Sequence, residues 1–162
     1  MRKSVGTFAV MLGMIGVVGV AAPASASEER RPSAQHCISN LDTGRTTCAS
    51  DPQTARQLSD VEPTALTIAI FYDGTSYTGA THTWVQSRQC TSTYDEEWQW
   101  GDLGAIGWNN RVSSVRTYNL CDVKFYDGTN FSGAVSTWID ASANLAAVGT
   151  GWSNRASSVK FS

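Results

Sequence analysis

The chain has 162 residues, of which 16 % are charged and 10 % aromatic, a size for one domain or two very small ones. Its 12 basic and 14 acidic residues give a net charge of −2. Arg2 and Lys3 precede every acidic residue, so the chain beyond position 27 is more acidic still. That balance excludes a binder of nucleic acid or anionic membrane, whose affinity needs a basic surface. Only two histidines are present, His36 and His82, too few for a His-rich metal centre.

In chain order, Arg2 and Lys3 form a positive start and residues 5–22 are apolar with many small side chains. Ala24-Ser25-Ala26 then offers an A-x-A cleavage site. This pattern predicts a signal peptide over residues 1–26 and a secreted, extracellular product. The apolar run is long, so a retained anchor is the alternative. The four cysteines fit export, where disulfides are the default state. Four allow three connectivities, and the spacing favours Cys37–Cys48 and Cys90–Cys121. The first pair flanks Leu41-Asp42-Thr43-Gly44, whose turn residues would fold the chain back on itself. No C-x-x-C occurs, which argues against structural zinc. Residues 27–66 are polar and read as a disulfide-looped appendage on the domain edge, or as a linker. Asp51 as cap and Pro52 at the first position predict a short helix over 51–58.

The remainder is a repeat. Residues 71–84, FYDGTSYTGATHTW, recur as 125–138, FYDGTNFSGAVSTW; residues 107–118, GWNNRVSSVRTY, recur as 151–162, GWSNRASSVKFS. The first copy carries extra residues between its two halves, within 85–106. Residues 67–72 and 122–126 are short apolar runs closed by Asp-Gly, a strand-and-turn signal. Residues 80–86, 134–139, 113–118 and 157–161 also read as strands, and 141–148 has the other local helical pattern. Two related β units, 67–118 and 121–162, point to a sandwich with one shared core. The segment from 65 to 162 holds both units and one cysteine pair, so it is expected to fold without residues 27–64.

Each unit has an aromatic, a second aromatic five positions on, and a Gly two beyond: Tyr72, Tyr77, Gly79 and Tyr126, Phe131, Gly133. Each ends in an Asn/Ser-rich turn, Asn109-Asn110-Arg111-Val112-Ser113-Ser114 or Ser153-Asn154-Arg155-Ala156-Ser157-Ser158. Over about residues 67–162 this resembles the βγ-crystallin family, in its microbial calcium-binding branch, related in fold to actinobacterial metalloprotease inhibitors. The resemblance implies an all-β fold of two Greek-key motifs in one sandwich domain. It further implies calcium at one or two turns. One site would use Asn109, Asn110 and Ser113 with a carbonyl of Arg111. The second would use Ser153, Asn154 and Ser157 with a carbonyl of Arg155, and Asp73 and Asp127 would add acidic or carbonyl oxygens. Such neutral, hard oxygens suit calcium; they equally suit turns capped by their own Asn and Ser.

The tryptophans that recur, Trp84, Trp108, Trp138 and Trp152, are expected in the core. Trp98 and Trp100 lie in the extra segment beside Asp95, Glu96 and Glu97. They read either as a strand with both indoles inward and Gln99 outward, or as an exposed loop contacting a protein. His82 reads as an exposed strand residue, because Ser136 occupies its place in the second unit. No G-x-S-x-G, H-E-x-x-H or phosphate-binding glycine loop is present, and no catalysis is expected. The expected partner is calcium, to a monomer that binds neither nucleic acid nor membrane. The alternative is an inhibitor of an extracellular metalloprotease, using the Asp95–Trp100 segment.

Overall fold

The computed structural model describes residues 35–162; the expected signal peptide lies outside the described residues. The first described element is a hairpin, β1 (His36–Asn40) and β2 (Arg45–Ala49), in antiparallel register with Cys37 opposite Cys48. Cys37 and Cys48 are bonded, as are Cys90 and Cys121, both as the spacing predicts. Helix α1 (Pro52–Leu58) follows, with Asp51 accepting from the Thr54 amide at its N-terminus, the capping that the sequence announces. Among the described residues no helix is long and apolar enough to cross a membrane.

Motif one contains β3 (Leu66–Tyr72), β4 (Thr81–Gln86), β5 (Trp98–Trp100) and β6 (Ser114–Thr117). Motif two contains β7 (Val123–Tyr126), β8 (Ala141–Ser142) and β9 (Ser158–Phe161). The strands form two sheets, ordered β2-β1-β4-β3-β6-β8 and β5-β9-β7. Each motif lends its next-to-last strand to the other: β5 pairs with β9, Trp98 opposite Phe161, and β8 pairs with β6, Ser142 opposite Val115. This is the sandwich of two Greek keys that the resemblance implies.

Alternating inward residues of both sheets fill one core. At its centre Phe71 meets Trp84 and Phe125 edge-on, with ring centroids 5.5 and 5.3 Å apart, the geometry that aromatic quadrupoles favour. Trp108 and Trp152 are buried beside them. A second, small cluster of Ile38, Ala55 and Val85 lies under α1. Residues 36–58 thus extend the larger sheet: β1 runs parallel to β4 and covers what would otherwise be its edge.

In each motif an Asp-Gly bend is followed by a one-turn 3-10 helix, Thr75–Tyr77 or Thr129–Phe131. The aromatic pairs Tyr72–Tyr77 and Tyr126–Phe131 pack edge-on across it. Gly79 and Gly133 close the bend with φ of +87° and +80°. An added Cβ would lie 2.1 Å from Oδ1 of Asp73 or of Asp127, so both conformation and space demand glycine there.

Four expectations need correction. Residues 134–139 do not form a strand; they touch β7 only at Tyr126–Val135 and Val123–Ile139. Trp138 is half-buried rather than in the core, stacked on Tyr94 and under the Lys124 ammonium. His82 is fully buried, because it shares the inward face of β4 with Trp84. Over 141–148 the expected helical pattern yields β8 and a single 3-10 turn, Leu145–Ala147.

Candidate functional site: two crossed turns

The two Asn/Ser-rich turns lie against each other. Asn110 N–H donates to the Ala156 carbonyl at 2.9 Å, and Asn154 N–H donates to the Val112 carbonyl at 2.8 Å. Both asparagines are left-handed, with φ of +54° and +55°, a conformation that Asn tolerates better than most side chains. The arrangement is a local two-fold: Leu103 N–H donates to the Ser157 carbonyl and Leu145 N–H to the Ser113 carbonyl.

The two serines of each turn have different work. The second, Ser114 or Ser158, clamps its own motif: its hydroxyl donates to the carbonyl of Gly74 or Gly128 and accepts from the amide of Tyr77 or Phe131. The first faces the opposite motif. Ser113 Oγ donates to Asn154 Oδ1 at 2.9 Å and accepts from Ser153 Oγ at 3.2 Å. The structure therefore brings Ser113 to the turn of motif two, not to Asn109 and Asn110. By the same two-fold, Ser157 belongs beside the turn of motif one. Ser157 forms no side-chain hydrogen bond among the described residues.

The carboxylates of Asp73 and Asp127 each pair with the arginine of their own motif. Asp73 Oδ2 accepts from Arg111 Nη2 at 3.1 Å; Asp127 Oδ2 accepts from Arg155 Nη2 at 2.9 Å and Nε at 3.2 Å. The Arg155 hydrogen bond holds the Asp127 carboxyl below its usual range. Each guanidinium also lies 4.7 Å over a buried indole, Trp108 or Trp152, and donates to the carbonyl of Gly107 or Gly151. Asp, Arg and Trp thus form a three-part brace in each motif. Sequence reasoning missed it, although Asp and Arg recurring together in both copies was a usable signal.

Among the described residues no three His, Cys, Asp or Glu side chains gather. A cation at the crossed turns would be held by amide and hydroxyl oxygens and by carbonyls. Ser153 Oγ and Asn154 Oδ1 both meet Ser113 Oγ, and this set of neutral oxygens fits calcium, which favours hard oxygen ligands. The lack of a free carboxylate fits weak rather than tight holding.

In the Asp95–Trp100 segment Asp95, Glu96 and Gln99 are exposed, and Glu97, Trp98 and Trp100 are half-buried. Glu97 accepts from Arg88 and from the Thr91 amide, and Glu96 pairs with Lys160. Trp98 and Trp100 pack on the core with Gln99 exposed. Asp95 accepts from the Thr91 and Thr93 hydroxyls, whose bonds hold its carboxyl low.

No family model and no curated protein matches the chain. Among solved structures it is similar to a βγ-crystallin from Ciona intestinalis, at 22 % identity and TM-score 0.43, over 57 % of this chain and 95 % of that one. A βγ-crystallin domain from Flavobacterium johnsoniae gives 20 % identity and TM-score 0.42, over 59 % and 93 %. The N-terminal domain of Protein S gives 16 % and 0.44, over 59 % and 94 %.

Proposed function

We propose that this is an exported βγ-crystallin-type protein that binds calcium at two crossed-turn sites, the ion stiffening the domain outside the cell. One site takes Ser153, Asn154 and Ser113; the other takes Asn109, Asn110 and Ser157, with backbone carbonyls near Arg111 and Arg155 completing each. The observation that carries this reading is the Ser113–Asn154–Ser153 cluster, three neutral oxygens from two motifs within 3.2 Å steps. Asp73 and Asp127 serve through their arginines, by fixing the turns. With few charged ligands the affinity falls in the range of extracellular modules, on the order of 10⁻⁴ to 10⁻³ M. At ~1 mM calcium and a Kd of ~10⁻⁴ M the gain in stability is about 1.4 kcal/mol.

Isothermal titration of the purified protein with calcium, paired with thermal melts, tests this. Heat and a rise in Tm at millimolar calcium are expected. No heat and an unchanged Tm at several millimolar would leave the turns as structural caps. The inhibitor reading draws no support from Trp98 and Trp100, whose indoles pack inward.

A further inference from the structure

A cleft of about 460 Å³ opens beside the disulfide Cys90–Cys121, with Cys121 in its lining, between the loop before β5 and the joint between the motifs. Five large apolar or aromatic side chains are exposed among the described residues. Three of them, Tyr94 (71 %), Leu120 (60 %) and Tyr118 (38 %), line this one cleft. Scattered exposed hydrophobics need no explanation, but a cluster at a concavity marks an interaction surface.

Two features hold these residues out, the first at a cost. Leu120 and its neighbour Asn119 have φ of +64° and +58°, a strained conformation for a bulky side chain. Tyr94 is braced from behind by Trp138, with centroids 6.3 Å apart. The disulfide ties the Tyr94 loop to the Leu120 joint, so the walls keep their spacing.

The cleft also contains Asp122 and Asp140. The Val123–Ile139 bridge is antiparallel, which sets Asp122 opposite Asp140 across the two segments. Like charges directly opposite destabilise a pair of strands. Neither carboxylate has a cationic partner among the described residues. Asp140 accepts only the Thr117 hydroxyl, at 2.9 Å, and the Lys124 ammonium is turned over Trp138. Burial, and then the charge of Asp140, push the Asp122 carboxyl up.

We infer that this cleft docks a basic side chain of a partner protein, an arginine or lysine whose stem lies between Tyr94, Tyr118 and Leu120 and whose charge ends between Asp122 and Asp140. Charge complementarity selects this occupant. A cation relieves the Asp122–Asp140 repulsion and is attracted to tyrosine faces, while its alkyl stem covers apolar surface. A neutral sugar would cover the tyrosines but leave the two charges unrelieved.

The test uses the full chain, labelled with ¹⁵N, and acetyl-arginine amide as the probe, with the citrulline analogue as neutral control. Expected are amide shifts confined to residues 91–94, 118–122 and 140 with arginine, and at least tenfold weaker binding of citrulline. Asp122→Asn with Asp140→Asn should weaken arginine binding at least tenfold, and Tyr94→Ala about threefold, with the fold checked by circular dichroism. Equal binding of citrulline, or no shift in the cleft at 50 mM arginine amide, overturns the inference. So does binding there of calcium or of an oligosaccharide in place of arginine. The crossed turns lie elsewhere in the chain, so their calcium response can fail without touching this result.

Discussion

The stretch Ala80-Thr81-His82-Thr83-Trp84 and its counterpart Ala134-Val135-Ser136-Thr137-Trp138 share their ends and their place in the repeat, yet they fold differently. The first is a full strand between β1 and β3, with Trp84 wholly buried. The second meets β7 at two isolated bridges, and Trp138 is half-buried. Trp84 packs on Phe71, Trp100 and Phe161, and its strand has a neighbour from outside both motifs. β1 lies along β4 and supplies Ser39, whose hydroxyl bonds His82 Nε2 at 2.8 Å and Thr46 Oγ1 at 2.5 Å. No such strand reaches residues 135–139 among the described residues. The same side chain, Trp, is fully buried in one copy and half-buried in the other, so its surroundings and not its identity set its burial.

The largest test of this contrast is a matched pair of truncations. Trp84→Ala should cost about 3–5 kcal/mol, the range for an aromatic emptied from a packed core. Trp138→Ala should cost clearly less, about 1 kcal/mol, since that side chain is only half-buried. Urea unfolding of both variants gives the difference; equal losses would erase the distinction between the two strands.

A chain beginning at residue 65 removes β1, β2 and α1. It should lose on the order of 3 kcal/mol, since Val85 is uncovered and His82 loses its hydrogen bond. Its Tm against that of the full chain measures this. An unchanged Tm would make the N-terminal hairpin an ornament on a self-sufficient pair of motifs.

His82 gives a third contrast, in pH. Burial, and then the Arg111 charge, push its pKa down from 6.5 to about 3. The unfolded chain therefore takes up a proton below about pH 6.5 that the folded chain refuses. Stability is full above that pH and falls as pH drops toward 3, by up to about 1.4 kcal/mol per pH unit. Between pH 6.5 and 4.5 the loss should be about 2 kcal/mol. His82→Ser, which copies motif two, should flatten that slope; an unchanged slope would assign it to other groups.

The smallest expected effect separates the two turns. The first offers an amide at its opening position, Asn109, where the second has the shorter Ser153, so it should hold calcium more tightly. Because the serines cross, Ser157→Ala should remove most of the calcium-induced rise in Tm and Ser113→Ala less. The reverse order would restore each serine to its own turn.

What the sequence reveals is local. The Asp51 cap and both cysteine pairs follow from residue types and spacing, the hairpin glycines from the family resemblance, and the structure keeps them. His82 was legible too: in a strand it must share a face with Trp84, two positions on, and that face was already expected inside. The comparison with Ser136 hid this, because Ser136 is also buried and a small polar side chain gives no sign of it. The crossing of Ser113 to Asn154 was not legible. It depends on how two distant motifs meet, and no spacing along the chain encodes that.

The exchange of β5 and β8 between the motifs has a consequence for the order of events in the life of the chain. Trp98 finds its partner in Phe161, and β6 completes its edge only when Ala141 and Ser142 arrive. Neither sheet can be finished by the half of the chain that begins it, and pairings so far apart in sequence form late and slowly. A polypeptide emerging from a ribosome or threading a narrow export channel would carry motif one as an unfinished sheet until the last strand followed it through. Closure then happens in one step, wherever β9 is finally released.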